Sequence, residues 1–145
     1  MQIHTSTDYA IRMVLYLAKV SKTVSSSKLS SVIGVSPRYI LQIGAKLRDA
    51  GLLTATYGPV GGFVLTKPPQ QISLFDIITV MEGLFQNRRE MSTNDLPEEF
   101  KTLSVAYDYI GTILLDLLKS ITIASLLTQS VNEWYLAPCL LELAQ

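Results

Sequence analysis

Residues 30–53 read SSVIGVSPRYILQIGAKLRDAGLL, and the punctuation inside this stretch decides the fold. Gly34 suits the left-handed position that stops one short helix, and two residues later Ser36 is an N-cap with Pro37 at the first helical position, where its missing N–H costs nothing. The next helix buries Ile40, Leu41 or Ile43, and Leu47 at helical spacing and ends at Gly51. Just upstream, TVSSSKLSSVIGV offers a serine cap and a short helix burying Leu29, Val32 and Ile33. Two short helices joined by IGVS are the pattern of a helix-turn-helix.

Working outward, STDYAIRMVLYLAKV has a candidate cap at Ser6 or Thr7, then Ala10, Met13, Val14, Leu17 and Ala18 on one helical stripe. On the other side, LLTATY and FVLTK are strand-like runs around YGPVGGF, residues 57–63. Those glycines do not follow the G-x-G-x-x-G spacing, and no G-K-[ST] completes a nucleotide-binding loop. They read as a hairpin tip, with Pro59 stiffening the turn and a glycine supplying positive φ. Helix, helix, helix, hairpin is a winged helix-turn-helix, closed here by Pro68 and Pro69.

The second half is helical. ISLFDIITVMEG is a capped helix with Leu74, Ile77, Ile78 and Met81 on one side, and Leu84 to Pro97 is a polar, irregular loop. From Glu98 to about Leu127 the chain reads as one long helix. Its apolar band, Leu103, Ala106, Ile110, Ile113, Leu114, Leu117, Leu118 and Ile121, is too wide for one small domain to cover, so a second copy is the expected cover. The fold class is therefore mainly α with a small β-hairpin wing (α+β), divided as a winged helix-turn-helix unit over 1–70, a connecting helix and effector-type loop over 71–97, and a dimerisation helix and tail over 98–145. The tail, WYLAPCLLELAQ, is interrupted by Pro138 and has no assigned place.

Composition narrows the function. With 145 residues and 48% apolar content the chain can bury one domain-sized core. Its formal charge of zero conceals a split: residues 1–70 carry eight Lys and Arg against two acids, and 71–145 carry four against ten. A basic half suits a polyanion, and an acidic half suits subunit contact or sensing. The single cysteine, Cys139, excludes an internal disulfide and cannot alone build a metal centre. MQIHTSTDYA lacks the regions of a signal peptide, and Asp116 and Lys119 interrupt the one run long enough to span a bilayer, so the cytoplasm and no membrane are expected. No nucleophile and base are paired by spacing, so no catalysis and no cofactor are expected, and His4 stands without a second ligand nearby.

TSTDYAIRMVLYLA, GVSPRYILQIGAKLRDAGLL, GPVGGFVL and ISLFDIITVMEG, in this order and spacing over about residues 1–83, resemble the Rrf2 family of bacterial transcription regulators. The resemblance implies a homodimer that binds a roughly palindromic operator in double-stranded DNA, repressing transcription in response to a small-molecule or protein effector. Many members hold an iron–sulfur cluster on three cysteines in the loop after the EG helix. Here that loop has none, and Asp8, at the place of a further ligand in some members, is a poor cluster site without thiolates. Two positions tied to sequence reading also depart: a glutamate before the recognition-helix glutamine is Leu41, and an arginine before the wing glycines is Tyr57. Neither replacement offers the same base contact.

The residues expected at DNA are Arg38 and Gln42 on base edges, with Ser36, Tyr39 and Lys46 on phosphates and Pro37 shaping the helix start. Ser25, Ser26, Ser27 and Lys28 open the second helix, whose free N–H groups suit a phosphate. Tyr57, Gly58, Pro59, Gly61 and Gly62 form the wing that approaches a minor groove. The dimerisation residues are Leu103, Ala106, Ile110, Ile113, Leu114, Leu117 and Ile121. Two other readings stay open: a winged-helix protein-interaction module that has lost operator binding, and a thiol-responsive regulator using Cys139.

Overall fold

The computed structural model describes residues 3–83 and 97–132. Among these residues, six helices and one hairpin run in the order α1 (Thr5–Val20), α2 (Ser26–Ile33), α3 (Pro37–Asp49), β1 (Leu53–Thr56), β2 (Gly62–Leu65), α4 (Leu74–Glu82), α5 (Glu98–Ser120) and α6 (Ile123–Thr128), with a 3-10 turn at Pro69–Gln71. This is the mainly helical, winged arrangement expected from the sequence.

The start of α1 differs from expectation. His4, not Ser6 or Thr7, is the capping residue, and its carbonyl accepts from the amides of Thr7 and Asp8 at 2.9 and 3.0 Å. The His4 amide is itself held by Glu82 Oε1 at 3.0 Å, which ties the entry of the chain to the end of α4. Thr7 is thereby drawn into the core with Ala10, Met13, Val14, Leu17 and Ala18.

Ser25 and Ser36 cap α2 and α3 through their hydroxyls, each accepting from the backbone N–H three residues on at 3.2 Å. Gly34 ends α2 at φ 84, and Ser30 Oγ donates to the Val35 carbonyl across the turn. Ile40, Ile43 and Leu47 fill the core from α3, and Leu41, the alternative to Ile43, stays outside at 51% exposure. Val32 is also outside, against expectation. Leu29 takes the core position of α2, and Val32 lines a shallow surface depression with Leu15, Tyr16 and Leu127.

The hairpin pairs Leu53 with Leu65 and Ala55 with Phe63, antiparallel. Val24 adds a third, one-residue rung, its amide and carbonyl both bonded to Phe63 at 2.9 Å. Two close approaches seat the wing. Gly44 leaves room for the Phe63 ring, and Gly62, at φ 152, passes so near the Val24 carbonyl that a Cβ would collide with it.

One core joins the winged unit to the later helices. Ile72, Ile77 and Ile123 lie in the same cluster as the α1 and α3 residues. Ser73 opens α4 with a capping box, and Thr122 opens α6 with another. The two caps sit in a backbone bridge, Leu74 N to Ile121 O at 2.9 Å and Ile123 N to Ile72 O at 2.8 Å. That bridge corrects the expected single helix over 98–127. Ile121 is extended, its carbonyl is taken by Leu74, and the Thr122 hydroxyl accepts from the Ser125 amide and starts a new helix.

Helix α5 spans about 35 Å at the ordinary rise per residue. It touches its own domain near its C-terminal end, where Leu118 is buried and the Lys119 ammonium lies 5.0 Å from the Phe75 ring centre. The loop expected at 84–97 falls, except for Pro97, outside the described residues, and so do Pro138 and Cys139 in the tail.

Candidate nucleic-acid interface

Three pieces of backbone converge on one face: the start of α2, the outer side of α3 and the wing. Between them lies a groove of about 490 Å³, bounded by Ser25–Ser27, by Leu41, Ala45 and Arg48 of α3, and by Tyr57, Gly58 and Pro59 of the wing.

The outer side of α3 follows from its burial pattern. Because Ile40, Ile43, Gly44 and Leu47 turn inward, Arg38, Leu41, Gln42 and Ala45 run along the opposite side. Arg38, Gln42 and Lys46 are exposed, and no carboxylate among the described residues pairs with Arg38 or Lys46. Ser36 and Pro37 are exposed at the helix start. Tyr39 is half-buried, its ring packed edge-on against Tyr9 of α1 at 6.0 Å and 89°. The ring is therefore steadied by α1.

At the start of α2, Ser25 spends its hydroxyl on the cap, leaving Ser27 and Lys28 exposed and Ser26 half-buried beside the groove. In the wing, Gly58 at φ 106 opens the tip, Pro59 and Val60 turn it, and Gly61 N returns to Gly58 O at 3.0 Å. Tyr57 is 87% exposed.

Arg48 is the residue that sequence reasoning missed. Its guanidinium reaches Asp49 Oδ1 at 2.8 Å and donates to the Tyr57 hydroxyl at 3.4 Å, across the mouth of the groove. The bond and charge of Asp49 hold Arg48 above its ordinary value, with a smaller push from Tyr57. It stays cationic at any pH the protein meets. The available signal was its spacing: Leu41, Ala45 and Arg48 share one side of α3 at i, i+4 and i+7.

Comparison with known proteins shows the family and the fold. A family model described as "Rrf2: Iron-dependent Transcriptional regulator" matches residues 3–129. The chain belongs to the Rrf2 family. It is similar to the solved structure of IscR from T. potens, with 26% identity over 93% of this chain and 96% of that one, at a TM-score of 0.70. It is similar also to CymR, the global cysteine regulator of B. subtilis, with 26% identity over 87% and 95% of the chains and a TM-score of 0.67. For the oxidised form of Staphylococcus aureus CymR the values are 27%, 90%, 98% and 0.68.

The Rrf2 description implies iron, and the donors of this chain do not fit a thiolate-held cluster. The sequence has one cysteine, in the tail. The Asp8 carboxylate is engaged by Arg12 at 2.8 Å. Among the described residues no three His, Cys, Asp or Glu side chains are grouped to hold a metal ion. Among the same residues no helix is long and apolar enough to cross a membrane.

Of the residues expected to join two copies, Leu103, Ala106, Ile110, Ile113, Leu114 and Leu117 lie along one side of α5, while Ile121 falls just beyond its end in extended backbone. Leu103, Ala106, Ile110, Ile113 and Leu117 are exposed, and Leu114 and Ile121 are half-buried.

Proposed function

We propose that this Rrf2-family chain is a sequence-specific DNA-binding repressor that works as a homodimer in the cytoplasm and carries no iron–sulfur cluster. The observation that carries the reading is the single face on which the α2 start, the outer side of α3 and the wing meet. In a winged helix-turn-helix the third helix enters a major groove and the wing flanks it.

Arg38 and Gln42 are assigned to base edges. Ser36, Tyr39 and Lys46 are assigned to phosphates, as are Ser26, Ser27 and Lys28 at the α2 start. Pro37 holds the first turn of α3 in shape. Tyr57, Gly58, Pro59, Gly61 and Gly62 approach the adjacent minor groove, and Arg48 at the mouth of the groove is assigned to a phosphate. Two copies joined through Leu103, Ala106, Ile110, Ile113, Leu114, Leu117 and Ile121 present two such faces to a roughly palindromic operator. The units are then 1–70 for reading, 71–97 for connection and signal input, and 98–145 for association.

Gel shifts of the full chain on its own upstream region, across a range of salt, test the reading. Specific complexes that weaken steeply with salt support it, and no sequence preference at any salt would sink it in favour of a protein-interaction module. Anaerobically purified protein with visible absorbance and stoichiometric iron would refute the cluster-free assignment.

A further inference from the structure

We infer that Leu41 reads the 5-methyl group of a thymine in each operator half-site. The inference rests on the reading of the α3 face as a DNA-binding surface and goes on to name what one part of that face recognises.

Leu41 is not part of the core cluster. The core positions on either side of it are filled by Ile40 and Ile43, at 0% and 2% exposure, whereas Leu41 keeps 51% of its surface in water. It follows Arg38 by three residues and precedes Ala45 by four, so it stands on the outward side of the recognition helix. With Ala45 it forms an apolar floor in the groove between α3 and the wing.

The rim of that groove selects the occupant. Around the apolar floor stand the Arg48 guanidinium, the Tyr57 hydroxyl and the opening turn of α2, all hydrogen-bond donors. An apolar side chain of a partner protein would cover the rim and offer no acceptor to the Arg48 and Tyr57 hydrogens not already used, which is costly. A nucleotide satisfies both parts, because its phosphates accept from the rim while its base edge meets the floor. Of the base edges displayed in the major groove, thymine alone presents a methyl group. That methyl lies at the margin of the groove nearest its own strand, where an apolar side chain flanked by phosphate-binding donors meets it. A cytosine presents only a C–H where the methyl would be, and its neighbouring amino group would lose a hydrogen bond to water and gain none from leucine.

Deoxyuridine removes that methyl and nothing else. The full chain is used to select a preferred duplex from a random library, and each thymine of that duplex is then replaced in turn by deoxyuridine. One position per half-site should weaken binding about fourfold, the effect of burying one methyl group. Leu41→Ala should weaken binding to the thymine duplex by at least as much and be indifferent to deoxyuridine at that position. Because Leu41 is half-exposed, an unchanged thermal melt separates this from misfolding. Binding to the selected duplex without any position whose deoxyuridine penalty vanishes in Leu41→Ala overturns the inference while leaving DNA reading intact. Failure to select any sequence overturns both.

Discussion

Arg48 of the recognition helix and Tyr57 of the wing meet at 3.4 Å, the guanidinium donating to the hydroxyl. The wing position before the glycines holds tyrosine where an arginine is usual for the family, yet the groove does not lack a guanidinium. It comes from α3 instead, and Asp49 at 2.8 Å sets the direction of its fork.

Arg48→Ala should therefore weaken operator binding about tenfold, the value of one charge-assisted contact to a phosphate. The slope of log affinity against log salt should become shallower by about one. Arg48→Lys should restore the slope but not the affinity, since an ammonium keeps the charge without the fork. Fluorescence anisotropy across a salt series measures both. An unchanged slope in Arg48→Ala would mean that this side chain points away from the DNA.

Gly44 and Phe63 supply a contest of signs. In the middle of a helix Gly→Ala ordinarily stabilises by about 1 kcal/mol. Here the new methyl would enter the buried Phe63 ring, and overpacking costs about 1–3 kcal/mol. Gly44→Ala should lower the melting temperature, and adding Phe63→Leu should recover part of the loss. A rise in melting temperature for the single variant would show that the wing yields without cost.

These two relationships mark what the sequence could and could not reveal. Gly34, Ser36 and Pro37 act within a few residues of their own position, so the turn of the helix-turn-helix was legible residue by residue. Leu41 and Ile43 both flank the centre of an apolar stripe, and only the way α3 packs into the domain decides which is buried. Arg48 meets Tyr57 because a strand and a turn fold back on the helix, which no helical period encodes. The break at Ile121 was hidden for the same reason: the Thr122 cap resembles a helix interior until residue 73 is brought beside it.

That junction can be weakened from either side. Ser73 Oγ accepts from the Asp76 amide at 3.3 Å and donates to its carboxylate at 2.8 Å, and Thr122 Oγ1 accepts from the Ser125 amide at 3.1 Å. Loss of either cap, as Ser73→Ala or Thr122→Ala, should cost about 0.5–2 kcal/mol. Since the two residues face each other in one bridge, their effects should not add. Urea melts of the two single variants and the double variant measure the coupling, and strict additivity would mean that α4 and α6 are capped independently.

The apolar side of α5 argues for a partner in physical terms. Ile110 is 61% exposed, and Leu103, Ile113 and Leu117 each keep nearly half of their surface in water along the same side. A second α5 laid against the first would remove this strip from water, and the acidic balance of residues 71–145 suits subunit contact better than contact with a polyanion. Ile110→Glu together with Ile113→Glu places charges in the centre of that contact without touching the Ile72, Ile77 and Ile123 core. Light scattering should find the unmodified chain dimeric and the variant monomeric, with the helical signal retained. Specific operator binding should fall by orders of magnitude, because one face alone reads half of a palindrome. A variant that remains dimeric would place the interface elsewhere on the chain.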